Sequence, residues 1–204
     1  MGLSESGPER ADSLYVSGML ALTAAMCVWQ AHTHDRQRRE LALASWTDHL
    51  TGAFNRRGFH ERARAELARA GRAGEPVSIV LVDLDGFKRV NDAHGHAAGD
   101  ELLRWVADRL RAGLRPSDVA GRLGGDEFAL LLPGIDVEEA QSVAERLRTT
   151  LAERTSASFG TAASPAPHDA DALMLEADAE LYRDKQRGRL LQRIEPELDL
   201  AARF

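Results

Sequence analysis

Residues Asp118 to Leu132 read DVAGRLGGDEFALLL. Two short strand-like runs, Asp118 to Arg122 and Glu127 to Leu132, are joined through Gly124-Gly125. A glycine pair in that position predicts a tight β-hairpin, because both residues can take positive φ without a Cβ penalty. A hairpin in mid-chain excludes an all-parallel sheet. Upstream, Val77 to Leu84 (VSIVLVDL) is an almost unbroken apolar run, the pattern of a strand covered on both faces. Further out, Asn55 to Ala70 reads as a helix, broken by Gly71 and Gly74-Glu75-Pro76. Ala98, Leu102, Leu103, Val106 and Leu110 follow helical spacing, as do Val137, Ala140, Val143, Ala144, Leu147 and Leu151. Ser156 to Ala162 reads as a strand, Leu173, Ala177 and Leu181 mark a helix, and Leu190 to Ile194 is expected to form a last edge strand. The predicted class is α+β: a central mixed or antiparallel sheet containing a β-hairpin, flanked by helices.

The chain has 204 residues, enough for one ordinary domain with additional segments. Apolar residues make up 44% and charged residues 28%, the balance of a folded soluble domain. A net charge of −6 argues against a general nucleic-acid coat, and no nucleic-acid partner is expected. Cys27, the only cysteine, leaves no intramolecular disulfide and no cysteine-built zinc site. The basic residues are almost all arginine; the two lysines are Lys88 and Lys185.

Leu14 to Ala31 (LYVSGMLALTAAMCVWQA) carries no charge and sits at the lower edge of the roughly 17–25 residues a membrane-spanning helix needs. Arg36, Arg38 and Arg39 follow it, whereas Arg10 alone precedes it, which places the C-terminal side in the cytoplasm. The acidic leader, with Glu5, Glu9 and Asp12, is unlike a cleaved signal peptide. The expected layout is an N-terminal tail over 1–12, a hydrophobic transmembrane helix over 13–32, a helical linker over 33–47, a globular domain over 48–195 and a tail over 196–204. Leu43, Trp46 and Leu50 would form one apolar stripe of the linker helix. The expected location is the cytoplasmic membrane, single pass, with the domain inside.

Acidic residues gather where the buried strand and the hairpin end. Asp83 and Asp85 close the strand, and Asp126 and Glu127 lie at the hairpin. Unpartnered buried carboxylates cost several kcal/mol, so acids converging from neighbouring strands point to a hard cation such as Mg²⁺ or Mn²⁺. The same residues also suit a solvent-facing turn, which favours Asp for its own reasons. Asn91-Asp92 through Gly99-Asp100 form a second polar cluster, in which Asn and Asp together suit a guanine edge and equally suit a loop with a helix cap.

Assembled in order, these segments resemble the GGDEF family, the diguanylate cyclases. The resemblance rests on Arg122-Leu123-Gly124-Gly125-Asp126-Glu127-Phe128 and on Asp48-His49-Leu50-Thr51-Gly52 with Asn55-Arg56-Arg57. It rests also on Val82-Asp83-Leu84-Asp85-Gly86-Phe87-Lys88, Asn91-Asp92 through Gly99-Asp100, Ser158-Phe159-Gly160-Thr161-Ala162, and Ala177-Asp178 through Lys185 and Gly188-Arg189. It covers about residues 46–195 and implies a fold like the palm of nucleotidyl cyclases and polymerases. It implies the condensation of two GTP molecules into cyclic di-GMP and two pyrophosphates by a homodimer using two Mg²⁺ or Mn²⁺ ions per site. On this reading Asp83, the carbonyl of Leu84, Asp126 and Glu127 bind metal, and Asp126, Lys88 and Arg122 serve catalysis. Phe87, Lys88, Asn91, His96, Asp100, Gly124, Gly125, Lys185 and Arg189 would bind substrate. Arg115 and Asp118, in the RxxD pattern, with Arg146 on the next helix, would bind cyclic di-GMP as an inhibitor. Ala53, Asp184 and Leu190 depart from the family's usual leucine, alanine and asparagine. The alternative is a catalytically silent cyclic di-GMP receptor.

Overall fold

The computed structural model describes residues 46–164 and 169–201, with the backbone alone over 191–201, and Met19, Leu22, Thr23, Met26, Cys27, Trp29 and Gln30 of the N-terminal segment. The chain divides into two units, Met1–Ser45 and Trp46–Phe204. The proposed span 14–31 lies largely outside the described residues; those of it that are described are helical and exposed. Among the described residues no helix is long and apolar enough to cross a membrane.

In the second unit the strands are β1 (Phe54–Asn55), β2 (Val77–Leu84), β3 (Val119–Gly124), β4 (Glu127–Pro133) and β5 (Ala157–Ser164). The helices are α1 (Arg56–Ala73), α2 (Phe87–His94), α3 (His96–Ala112), α4 (Val137–Leu151) and α5 (Ala170–Ala201). The five strands form one sheet in the order β1-β3-β4-β2-β5. β1 runs parallel to β3, and the other pairings are antiparallel, so the sheet is mixed.

The period-2 alternation of β2 and β4 divides the core into two layers. Val80, Val82 and Leu84 of β2 with Phe128, Leu130 and Leu132 of β4 pack under α3 and α4, against Leu103, Val106, Leu110, Leu147 and Leu151. Ile79 and Leu81 with Ala129 and Leu131 face α1 and α5, against Phe59, Leu67, Leu173, Ala177 and Leu181. This two-sided cover is why the β2 sequence is nearly all apolar. It also decides where Asp83 goes: the odd positions face α1 and α5. Local chemistry sets the helix ends. The Asn55 side chain accepts from the Gly58 N–H at 2.9 Å to start α1, and Asp136 accepts from the Glu139 N–H at 2.9 Å to start α4. No buried side-chain polar atom among the described residues lacks a partner.

Two expectations are corrected. Leu190 to Ile194 is not a strand but lies within α5. Gly188, just before that run, does not take a positive φ and so does not stop the helix. The expected stripe of Leu43, Trp46 and Leu50 is not one helix either. Trp46 is not helical, and Leu50 sits in a turn, its side chain packed on the core beneath α3. Residues 33–45 lie outside the described residues.

α5 lies directly on β5 because Gly160 has no side chain. A Cβ there would come within 2.1 Å of the Ala177 carbonyl oxygen and 2.3 Å of the Leu181 nitrogen. Gly160→Ala must therefore push helix from sheet, an overpacking that costs about 1–3 kcal/mol. Gly188, with nothing within 4 Å of a built Cβ, is the control. Thermal denaturation is expected to show Gly160→Ala melting several degrees below the parent and Gly188→Ala unchanged or slightly above it. Equal melting temperatures for the two variants would contradict this packing.

Candidate active site

At the carboxyl end of β2, Asp83 is flanked by Glu127 of β4 and Ser158 of β5. The Leu84 N–H donates to the Asp126 carbonyl at 3.3 Å, and the Asp85 N–H donates to the Ser156 carbonyl at 3.0 Å. The Ser158 hydroxyl donates to the Asp85 carboxylate at 2.8 Å. Burial pushes the Asp83 carboxyl above the ordinary range, and the charges of Asp126 and Asp85 push the same way. Lys185 of α5 opposes them with its Nζ 2.9 Å from Asp83 Oδ2, but the net direction remains upward.

Beside these acids is an open cavity of about 300 Å³. Asp83 and Asp85 line it together with Arg89, Lys185 and Arg189, while Gly86 and Ser158 contribute to its wall. Five of its eight lining residues are charged. The cavity lies at the lower end of small-molecule sites, a size suited to the charged part of a ligand. Acid beside base around open space is the pattern expected where metal ions and phosphate oxygens meet.

The hairpin turn next to the cavity is braced from behind. Arg122 donates from Nε and Nη2 to the Gly125 carbonyl, at 3.0 and 2.7 Å. Its Nη1 donates to both oxygens of Asp48, at 3.1 and 3.3 Å. Asp48 also accepts from the Thr51 N–H at 2.9 Å and the Thr51 hydroxyl at 2.7 Å. With its donors so placed, Arg122 acts on the shape of the turn that carries Gly124, Gly125 and Asp126. Nothing lies within 4 Å of a Cβ built on Gly124 or Gly125, so the turn opens onto free space.

Glu127 faces α1, where Arg56 Nη2 lies 3.6 Å from its carboxylate. Asp83, Asp126 and Glu127 are therefore not drawn into one ligand set. Among the described residues no three His, Cys, Asp or Glu side chains are close enough to hold a metal. Asp83 is paired with Lys185 and Glu127 stands beside Arg56.

The other expected contacts fall into two places. Asn91 of α2 and Phe87 converge on Gly99 of α3: a Cβ there would meet Asn91 Oδ1 at 2.0 Å and Phe87 Cζ at 3.1 Å. Gly99 thus seats an aromatic ring and an amide beside Asp100, with His96 at the start of the same helix. Lys88 lies on the exposed side of α2 and does not line the cavity. Far along the chain, Arg115 and Asp118 form a closed turn, the Asp118 carboxylate accepting from the Arg115 N–H at 2.8 Å. Arg146 of α4 donates to the Gly113 carbonyl, just before that turn, at 2.9 Å. Arg89, Ser158, Asp48 and Arg56 carry no assigned role in the sequence reading, and Asp85 enters it only as one of the converging acids. Asp48 and Arg56 were visible within the opening motif, whereas nothing in the sequence marks Arg89.

The sequence model of the family described as diguanylate cyclase, GGDEF domain, matches residues 45–190. The diguanylate cyclase DgcP of Pseudomonas aeruginosa is 38% identical over 168 residues, covering 78% of this chain and 25% of that protein. The diguanylate cyclase DgcS of Shewanella oneidensis is 34% identical over 169 residues, covering 78% of this chain and 56% of that protein. The chain thus spans from about a quarter to just over half of these relatives. Among solved structures, the GGDEF domain of DgcB from Caulobacter crescentus in complex with c-di-GMP superposes with a TM-score of 0.68 at 29% identity, over 70% of this chain and 89% of that one.

The Asp48 brace has a pH signature. Burial alone would raise its carboxyl, but the hydrogen bonds from Thr51 and Arg122 outweigh it and leave the pKa lowered. A lowered acid contributes stability above its unfolded value, about 3.9, and loses it as pH falls through the folded value. Asp48→Asn is expected to destabilise the protein by about 1–3 kcal/mol at pH 7. The melting curves of parent and variant should converge below about pH 4. A gap that persists unchanged in acid would contradict the brace.

Proposed function

The chain belongs to the GGDEF family of diguanylate cyclases, and from that premise we propose that it condenses two GTP molecules into cyclic di-GMP and two pyrophosphates. The observation that carries this reading is the charged cavity at the end of β2, where Asp83 and Asp85 face Lys185, Arg189 and Arg89, together with the Phe87–Asn91 seat on Gly99.

The chemistry of the donors, rather than the present spacing of their side chains, fits a hard divalent cation. Asp83, the carbonyl of Leu84 and Asp126 offer only oxygen, with Glu127 close by, and Asp83 is held in a field of like charge that a cation relieves. Magnesium or manganese, two per site, would neutralise phosphate charge and make the attacking hydroxyl more acidic. The chain's own groups do the rest. Asn91 and Asp100 hydrogen-bond the guanine edge, with Phe87 against the base and His96 on the same nucleotide. Lys185, Arg189 and Arg89, which line the cavity, gather the phosphates as point charge and planar forks, and Lys88 would reach them from the exposed side of α2. The Gly124–Gly125 turn admits the phosphate chain close to backbone. Asp126 accepts the proton of the 3′-hydroxyl as its oxygen bonds to the α-phosphorus and the bond to the β-phosphate oxygen breaks, releasing pyrophosphate. Each protomer of a homodimer presents one GTP, and each hydroxyl attacks the other's α-phosphate.

Arg115 and Asp118, with Arg146, form an inhibitory site for the product; the turn is preformed by its own hydrogen bond. Residues 14–31 anchor the protein in the cytoplasmic membrane with the catalytic domain inside.

Purified full chain incubated with GTP and Mg²⁺ is expected to yield cyclic di-GMP at a rate rising more steeply than linearly with protein concentration. Asp126→Ala should lower that rate at least 100-fold, on the scale of losing a general base. Binding of GTP without product at any protein concentration would refute the cyclase reading. For the inhibitory site, Arg115→Ala should keep the initial rate and lose inhibition by added cyclic di-GMP. Inhibition that persists in that variant would remove the RxxD assignment.

A further inference from the structure

β5 is the outer strand of the sheet and pairs only with β2, so its outer backbone groups have no strand to bond. An Asp–Arg pair bonds two of them. Asp184 Oδ2 accepts from the Phe159 N–H at 2.9 Å and from Arg148 Nη2 at 2.8 Å. Arg148 Nη1 in turn donates to the Ala157 carbonyl on the same edge at 3.1 Å, and its guanidinium lies 4.9 Å over the Phe159 ring. The Asp184 and Arg148 side chains are 22% and 36% exposed, so the pair is partly withdrawn from water. Asp184 thus ties α5 to the sheet edge and to α4 at once.

The next residue along α5 is Lys185, whose ammonium meets Asp83 at 2.9 Å and lines the charged cavity. Successive helical residues diverge by roughly 100°. Turning residue 184 to the β5 edge therefore directs residue 185 towards the end of β2. Below this point α5 is seated on Gly160 through Ala177 and Leu181; at Asp184 its rotation is held by hydrogen bonds. Lysine is a point charge on a flexible stem, and a partly exposed ion pair contributes about 1 kcal/mol or less. The Asp83 contact alone is thus a weak locator.

We propose that Asp184 is a positioning residue for Lys185: its bonds to Phe159 and Arg148 hold α5 so that the Lys185 ammonium stands over the acidic end of the cavity, and this sets the affinity for a nucleoside triphosphate. The proposal rests on the nucleotide reading given above. It makes the departure from alanine at this position part of the site.

The test uses the full chain with ¹⁵N-labelled lysine, in which the side-chain signals belong to Lys88 and Lys185 alone. Asp184→Ala is expected to shift the Lys185 Nζ resonance or speed its proton exchange while leaving that of Lys88 unchanged. By calorimetry with a nonhydrolysable GTP analogue and Mg²⁺, Asp184→Ala should bind roughly tenfold more weakly, the low end for a group that orients a ligand-binding side chain. The double variant Asp184→Ala/Lys185→Ala should bind no more weakly than Lys185→Ala alone. Asp184→Asn, which keeps an acceptor for Phe159, should recover most of the affinity. An undisturbed Lys185 signal, or losses that add in the double variant, would overturn the proposal. If the parent protein binds no analogue, the triphosphate reading falls, and the lysine signal alone still decides whether Asp184 places Lys185.

Discussion

The site turns on the carboxylate of Asp83, which ends a strand buried on both faces and meets the Lys185 ammonium there. A carboxylate in that place is disfavoured by burial and by its neighbours Asp126 and Asp85, and one ammonium offsets this only in part. A fold does not accumulate such charge for stability, since partly desolvated pairs rarely exceed well-packed apolar side chains in that respect. The arrangement makes sense as a site that receives further positive charge and a polyanion. Lys185 pairs with one of these acids and Arg56 stands beside another.

The rest of the domain keeps this end of the sheet rigid. Two apolar layers clamp β2 and β4 from both faces, so Asp83 cannot retreat from its position. The hairpin is held not by its own strands alone but by Arg122, which links the Gly125 carbonyl to Asp48 in the segment that enters the domain. The turn that presents Asp126 therefore depends on a contact far away in sequence. On the other side, α5 is seated on Gly160 by backbone contact and tied to the edge of β5 at Asp184. Strand end, hairpin and helix each bring one part of the site, and each is fixed by interactions outside it.

Much of this was legible in the residues. The Gly-Gly pair and the apolar run over Val77 to Leu84 are strong local signals, and the hairpin, its central partner strand and the flanking helices appear where those signals put them. Leu190 to Ile194 was misread because a short apolar run fits strand and helix alike, and the glycine before it stayed helical. The parallel strand Phe54–Asn55 is too short to carry a period. At the site, Asp83, Asp85, Lys185 and Arg189, all named from the sequence, line one cavity, and Arg89, which no sequence signal marks, lines it with them. Asp184 looked like a mere departure from a pattern. Its partners, Phe159 and Arg148, lie on other elements, and no spacing in the chain reveals a bond made across the edge of a sheet.

The central claim is that the acids at the end of β2 exist to hold a divalent cation together with a triphosphate. The most direct measurement is calorimetric titration of the full chain with a nonhydrolysable GTP analogue, with and without Mg²⁺, in the parent and in Asp83→Asn. The account predicts binding that requires Mg²⁺ and is lost or greatly weakened in Asp83→Asn. Binding that is equally tight without the metal, or indifferent to the loss of the Asp83 charge, would contradict it.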